Sequence, residues 1–376
     1  MAKTKINFTH KKLIVAGCDL HSSFAKVAYV DGKGNLIYEK QYPTTIRGIA
    51  LLVADLAAIK CKRIAVESVG HFWVHFVYTL QSLYSHIAGL TPRIIVANPY
   101  STRSFGKKTD SLDALRIARL FLAGNLIASN IPRSLEEYLF KALCRLRVKL
   151  AHERGKAVNR LRKLLALLGY KPSRLTKKIL NVLEELALGK PPLEAFKSAN
   201  LKAPEELGVK PLPVEARGML EAMLKVYNCL SVEVKALDSL IERQAEKFYG
   251  ELYSYVRTVP GVGPLLAAII LAETVDARRF SSASHYKSYC GLAPRLRESS
   301  GRARLGRCRR SNLLLRWAFY MAAVRAIRND GELRCFYERL VARGKPRRVA
   351  LVAVAGKLAR RTWAVMVRRE PYRPRC

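Results

Sequence analysis

The first 130 residues alternate apolar runs and turn signals in an order that few folds accommodate. Leu13–Leu20 (LIVAGCDL) is a short, almost continuous apolar run and reads as a buried strand. Ala25–Val30 and Leu36–Tyr42 are two more strands, joined across DGKGN, whose Asp and Gly residues suit a hairpin turn. A helical stretch follows from about Thr45 to Ile59, then a fourth strand at Arg63–Glu67 and a second helix at Phe72–His86. A fifth strand, Arg93–Asn98, stops at Pro99, and Asp110–Leu122 carries helical periodicity. The predicted order is β-β-β-α-β-α-β-α.

A three-stranded meander followed by alternating helices and strands is the order of the α/β ribonuclease-H-like (RuvC-like) fold. A dinucleotide-binding unit is excluded, because no GxGxxG follows the first strand. Residues 1–130 are therefore expected to form an RNase-H-like domain. Residues 131–250 turn helical: Leu135–Leu168 is long and studded with Lys and Arg, and 189–213 holds most of a Pro-rich linker. Val214–Tyr255 reads either as a coiled-coil arm or as a helix inside a bundle. Residues 251–376 are expected to form a mainly α-helical C-terminal domain. It opens with TVPGVGPLLAAIILAE at 258–273, a glycine turn before an apolar helix. That pattern resembles a helix-hairpin-helix element, whose backbone amides can hold a DNA phosphate.

Charge narrows the partners. The chain has 67 Lys plus Arg against 29 Asp plus Glu, a net charge of +38. Such self-repulsion is relieved by an acidic partner, and the commonest large polyanion is nucleic acid. Residues 301–376 alone carry 21 Lys plus Arg against four acids, with Arg dominant, and its planar fork suits phosphates and base edges. No apolar run reaches the ~18–20 residues of a spanning helix. No cleavable leader follows the basic start, so a cytoplasmic protein, nucleoid-associated when acting, is expected. The eight cysteines are scattered without a CxxC pair, which argues against a zinc ribbon and a disulfide framework.

In so basic a chain, four acids stand at telling places. Asp19 closes the first strand, Glu67 closes the fourth, and Asp110 and Asp113 open the helix after the fifth. Strand ends of an α/β sheet are where sites form, and acids three apart share a helix face. Together the four can hold two Mg²⁺ ions roughly 4 Å apart, the clamp for in-line displacement at phosphorus. Each also has a plainer reading: Asp19 as a turn residue, Glu67 as a surface charge, Asp110 as a helix cap with Asp113 in the first turn.

Four segments resemble the DEDD transposases of the IS110 family of insertion sequences, including its IS1111 subgroup. They are GCDLHSSFAKVAYVDGKG near the start, VESVGHFW at 66–73, VANPYSTRSFGKKTDSLDALRIA at 96–118, and TVPGVGPLLAAIILAE through GLAPRLRESSGRARLGRCRRSNLLLR at 258–316. The resemblance covers most of the chain and places the family's acidic tetrad on Asp19, Glu67, Asp110 and Asp113. It also implies a nucleophilic serine before a glycine in the C-terminal domain. Here the text is Glu298-Ser299-Ser300-Gly301, where the glycine favours Ser300 and the spacing from Pro294 favours Ser299. By composition alone both serines are hydroxyls of a polar loop. A lone serine needs activation. The resemblance implies that the acidic site and its metal provide it, from another subunit or after a domain movement. Two departures are visible: Ser68-Val69-Gly70 replaces a threonine-glycine after the glutamate, and CRRSNLLLR at 308–316 lacks the family's turn glycine.

The resemblance further implies DNA strand exchange through a serine–DNA link, guidance by a structured RNA encoded by the element, and a homo-oligomer, dimer to tetramer, joined by helical arms. Element ends and target DNA are the expected partners. Rival readings are a junction-resolvase-like nuclease using the same acids with water, and an inactive nucleic-acid-binding protein.

Overall fold

The computed structural model describes residues 13–67, 70–89, 91–98, 102, 109–204, 210–293, 295–299, 302–306 and 311–374. The chain divides into two compact units, Met1–Tyr138 and Leu139–Cys376.

In the first unit, β1 (Val15–Leu20), β2 (Phe24–Val30) and β3 (Leu36–Pro43) form an antiparallel meander. Helix α1 (Ile46–Ala58) leads to β4 (Arg63–Glu67), which lies parallel to β1. Helix α2 (Phe72–Ala88) leads to β5 (Arg93–Ala97), parallel to β4, and α3 (Asp110–Leu122) follows. The resulting mixed sheet has the order β3-β2-β1-β4-β5. The almost continuous apolar run, β1, is central and buried along its length, while β3 at the edge is largely exposed. Hydrophobicity without alternation is what burial on both faces demands.

Successive side chains of a strand face opposite ways. Ala16, Cys18 and Leu20 join Leu52, Leu56, Phe76 and Leu80 in the core beneath α1 and α2. Val15 and Val30 pack instead with Ala118 of α3. Between them, Gly17 gives α3 its seat: a Cβ there would stand 2.3 Å from the Ala114 carbonyl oxygen and 2.4 Å from the Ala118 nitrogen. A glycine at this point is what lets the helix backbone touch the strand.

The second unit is mainly helical. Helices α4 (Leu135–Leu167) and α7 (Val214–Tyr249) run antiparallel, tied by the bidentate pair of Arg147 with Asp238. At one end they pack with α5 (Lys177–Ala187) and α6 (Pro192–Ser198) around Leu161, Leu183, Phe196 and Leu220. The segment read as a Pro-rich linker thus contains a helix with Ala195 and Phe196 buried. Its proline serves as a helix start rather than a spacer. The long helical pattern from Val214 also breaks earlier than its periodicity suggests. Gly250 adopts φ +51°, and a separate α8 (Glu251–Arg257) follows.

The other end holds α9 (Pro264–Thr274), α10 (Ala283–Tyr289), α11 (Leu313–Asn329), α12 (Gly331–Ala342) and α13 (Arg347–Arg368). In the glycine turn between α8 and α9, Val259 and Val262 are buried. Gly261, at φ +77°, lies so close to α11 that a Cβ would meet the Ala322 carbonyl oxygen at 2.1 Å. The segment that composition alone reads as a polar loop contains an antiparallel pair, β6 (Arg295–Ser299) and β7 (Arg302–Gly306).

The second unit also holds a buried charge cluster. Glu273 of α9 is fully buried and accepts two hydrogen bonds from Arg145, at 2.5 and 2.9 Å, and one from Asn312 at 2.7 Å, with the Lys141 ammonium 3.7 Å away. Asn312 also caps α11 through the backbone N–H groups of Leu314 and Leu315. Burial alone would push the Glu273 carboxyl up. The Arg145 hydrogen bonds, the Lys141 and Arg145 charges and the Asn312 contact outweigh it and hold the carboxyl below its ordinary value.

Candidate metal centre

Asp19, the last but one residue of β1, lies on the face that Gly17 turns toward α3, since residues two apart in a strand share a face. The parallel register pairs Cys18 with Val66, so one step further Asp19 and Glu67 are level on neighbouring strands. Helix α3 then delivers Asp110 and Asp113 from its first turn. Thr109 caps that helix, its hydroxyl accepting from the Leu112 N–H at 3.3 Å. The plainer reading of Asp110 as the cap therefore fails, and its carboxylate is free to face the sheet. The helix start is tied down as well: Ser111 donates to Glu39 on β3, and Glu39 pairs with Lys26 on β2 at 2.9 Å.

Asp19 is buried, and its carboxyl is pushed above the ordinary carboxylate range. Burial is the main cause; His21 opposes it, and the charges of Glu67, Asp113 and Asp110 add to it. Three of the four acids read from the sequence thus act on the carboxyl of the fourth. Their immediate partners differ. Glu67 accepts a 2.5 Å hydrogen bond from Thr102, and Asp113 is paired with Arg116 one turn along. Asp110 is half exposed and faces His21.

His21 is the residue that the sequence reading passed over. Its Nε2 stands 3.3 Å from Asp19 Oδ2 and 3.4 Å from Asp110 Oδ1. Among the described residues, Asp19, His21 and Asp110 form the one group whose donor atoms lie within 4.8 Å of one another, close enough to share a cation. The available signal was the spacing Asp-Leu-His at a strand end, two residues apart and hence on one side. Thr102, Thr109 and Glu39, which steady the acids, carried no sequence signal of that kind.

The donor set suits a divalent cation. Carboxylates crowded around a buried Asp19 repel one another, and a cation bound among them removes that cost. Ser299 is the last described residue of β6, paired with Arg302 across the hairpin. Ser300 lies outside the described residues.

Comparison with known proteins gives a consistent picture. A sequence model of DEDD transposases of the IS110 type, described as "Transposase", matches residues 16–169. A second, described as "Transposase IS116/IS110/IS902 family", matches residues 253–338. The chain is 25% identical to a transposase for insertion sequence element IS1111A of Coxiella burnetii, over 96% of this chain and 92% of that protein. It is 31% identical to a 42 kDa protein of insertion element IS900 of Mycobacterium paratuberculosis, over 42% of this chain and 40% of that one. A pilin gene-inverting protein of Moraxella bovis is 30% identical over 32% of this chain and 38% of its own length.

Proposed function

For a chain that belongs to the IS110 family of DEDD transposases, we propose that it cuts and exchanges DNA strands through a serine–DNA covalent link, with Mg²⁺ held by its four acids. The observation that carries this reading is the convergence of Glu67, Asp110 and Asp113 on the buried Asp19. The sheet order β3-β2-β1-β4-β5, an antiparallel meander extended by two parallel strands, supports an RNase-H-like first domain. A helical middle region and a serine-bearing C-terminal domain follow it.

Asp19 and Asp110 would hold the metal most directly, with Glu67 and Asp113 completing its shell. When bound, Mg²⁺ supplies charge stabilisation for the oxygens of a phosphodiester undergoing in-line displacement. The serine hydroxyl, Ser300 in our reading and Ser299 as the alternative, attacks phosphorus. Its Oγ–P bond forms as one bridging P–O bond of the DNA breaks. The proton lost by the serine balances the one taken up by the leaving DNA oxygen. Attack by a hydroxyl of the second DNA strand then reverses the step and frees the serine, so no phosphoester bond is lost. Thr102 and Thr109 act as positioning residues, the first by fixing the Glu67 carboxylate and the second by capping α3.

The net charge of +38 supports nucleic-acid binding, and the family resemblance is what adds a structured guide RNA and a homo-oligomer to the DNA partner. The test is to trap the protein–DNA adduct with the cognate element DNA and RNA and map it by peptide sequencing. An adduct on Ser300 or Ser299, lost on the matching Ser→Ala change and on Asp19→Ala, is expected. Cleavage that survives both serine substitutions refutes the covalent route and leaves a water-using nuclease.

A further inference from the structure

We propose that His21 is itself a ligand of the metal, so that the centre has mixed nitrogen and oxygen donors instead of carboxylates alone. The inference rests on the reading of the acidic site as a metal centre and adds a donor to it.

Three observations carry it. The first is geometry: ligands adjacent on an octahedral ion with bonds of about 2.1 Å lie roughly 3 Å apart, and opposite ones roughly 4.2 Å. The 3.3 and 3.4 Å separations from Nε2 to the two carboxylates fit adjacent positions, and the whole set stays within 4.8 Å. The second is the state of Nε2. It is sealed from solvent yet makes no hydrogen bond of acceptable geometry, although two carboxylates stand beside it. A buried nitrogen aimed between two oxygens without bonding to either has the placement of a donor atom around an ion. The third is that the ring is held in place. It stacks on Phe24 with centroids 4.5 Å apart, and the backbone N–H of His21 donates to the Phe24 carbonyl at 2.8 Å across the tight β1–β2 turn.

The chemical consequence is selectivity. Mg²⁺ prefers oxygen almost exclusively, whereas imidazole nitrogen is a ligand of the divalent first-row transition metals, of which Mn²⁺ is the weakest binder. With His21 as a ligand, Mn²⁺ gains more than Mg²⁺ does, and removing the ring narrows the difference between the two.

The full-length protein is titrated with MnCl₂, followed by loss of the free-ion electron paramagnetic resonance signal, and bound Mn²⁺ is then probed by electron spin-echo envelope modulation. Imidazole-type ¹⁴N modulation is expected, replaced by the ¹⁵N pattern when the protein carries [¹⁵N]histidine, a readout that needs no substitution. His21→Gln should abolish the modulation and weaken Mn²⁺ binding about tenfold, with a smaller loss for Mg²⁺ measured by competition. Asp19→Asn should remove the binding itself. Mn²⁺ that binds in an Asp19-dependent manner without histidine modulation, or whose modulation persists in His21→Gln, overturns the role of His21 and leaves the acidic metal site standing. Absence of any Asp19-dependent Mn²⁺ binding overturns both.

Discussion

Substituting Gly17 by alanine tests whether the site depends on how closely α3 approaches the sheet. The added Cβ would meet two backbone atoms of α3, at 2.3 and 2.4 Å, where ordinary contact begins at 3.4 Å. Backbone cannot rotate aside, so the helix has to retreat by about 1 Å or β1 has to bend, and overpacking of this kind costs about 1–3 kcal/mol. A gain of roughly 0.5–1 kcal/mol from the stiffer unfolded chain offsets part of this, leaving a net loss of about 1–2 kcal/mol. The functional loss is expected to be larger. Asp110 and Asp113 ride on α3, and a displacement of about 1 Å at reacting groups can cost roughly 10²-fold in rate. Hydrogen exchange measured by mass spectrometry should show faster exchange in the peptides of β1 and α3, alongside weaker Mn²⁺ binding and slower strand cleavage. Ala118→Gly should not restore the protein, because the two nearest clashes are with backbone. A Gly17→Ala protein with native exchange over 110–122 and native metal affinity would refute the argument.

The packing sets the remaining outcomes. Glu273→Ala takes the carboxylate from the buried Lys141 ammonium and from the half-exposed Arg145, and should cost about 3–5 kcal/mol in denaturant titrations. Because the folded carboxyl sits below its ordinary 4.5, its contribution is fully present above that pH and is lost as the pH falls toward the folded value; Glu273→Gln should flatten this acid limb. Gly261→Ala combines a φ of +77° with a 2.1 Å approach to the Ala322 carbonyl and should lower the melting temperature more than Gly17→Ala does. Gly155→Ala, in α4 with nothing within 4 Å of its added methyl, should instead stabilise by about 0.5–1 kcal/mol by the same measurement. Iodoacetamide should modify exposed Cys229 and Cys335 in the native protein, as read by peptide mass mapping, and spare Cys61 and Cys144, whose thiols burial pushes up to about 12.

Much of the first unit was legible before any coordinates. The almost continuous apolar run at Leu13–Leu20, the DGKGN turn and the helical periods are signals written over a few neighbouring residues, and β1 to α3 appear in the predicted order with ends shifted by at most two residues. Asp19, Glu67, Asp110 and Asp113 were readable for the same reason, since a strand end and a first helical turn are local features. What lay beyond reach depends on partners distant in the chain. Phe196 is buried because α5 and α7 close over it, which the surrounding prolines concealed. Glu273 looked like an ordinary acid at the end of an apolar helix, yet its partner Arg145 lies 128 positions away.

The acidic centre shows where the division falls. Sequence by itself determined that acids stand at the ends of two strands and at the start of one helix, because hydrophobic period and turn chemistry act between neighbours. Only the tertiary structure decided that Thr109, and not Asp110, caps α3, that β1 and β4 pair in the register that levels Asp19 with Glu67, and that His21 faces the same point. Register and helix docking are settled by which long-range contacts fill space best. Here a missing side chain at Gly17 sets how near α3 comes to the sheet.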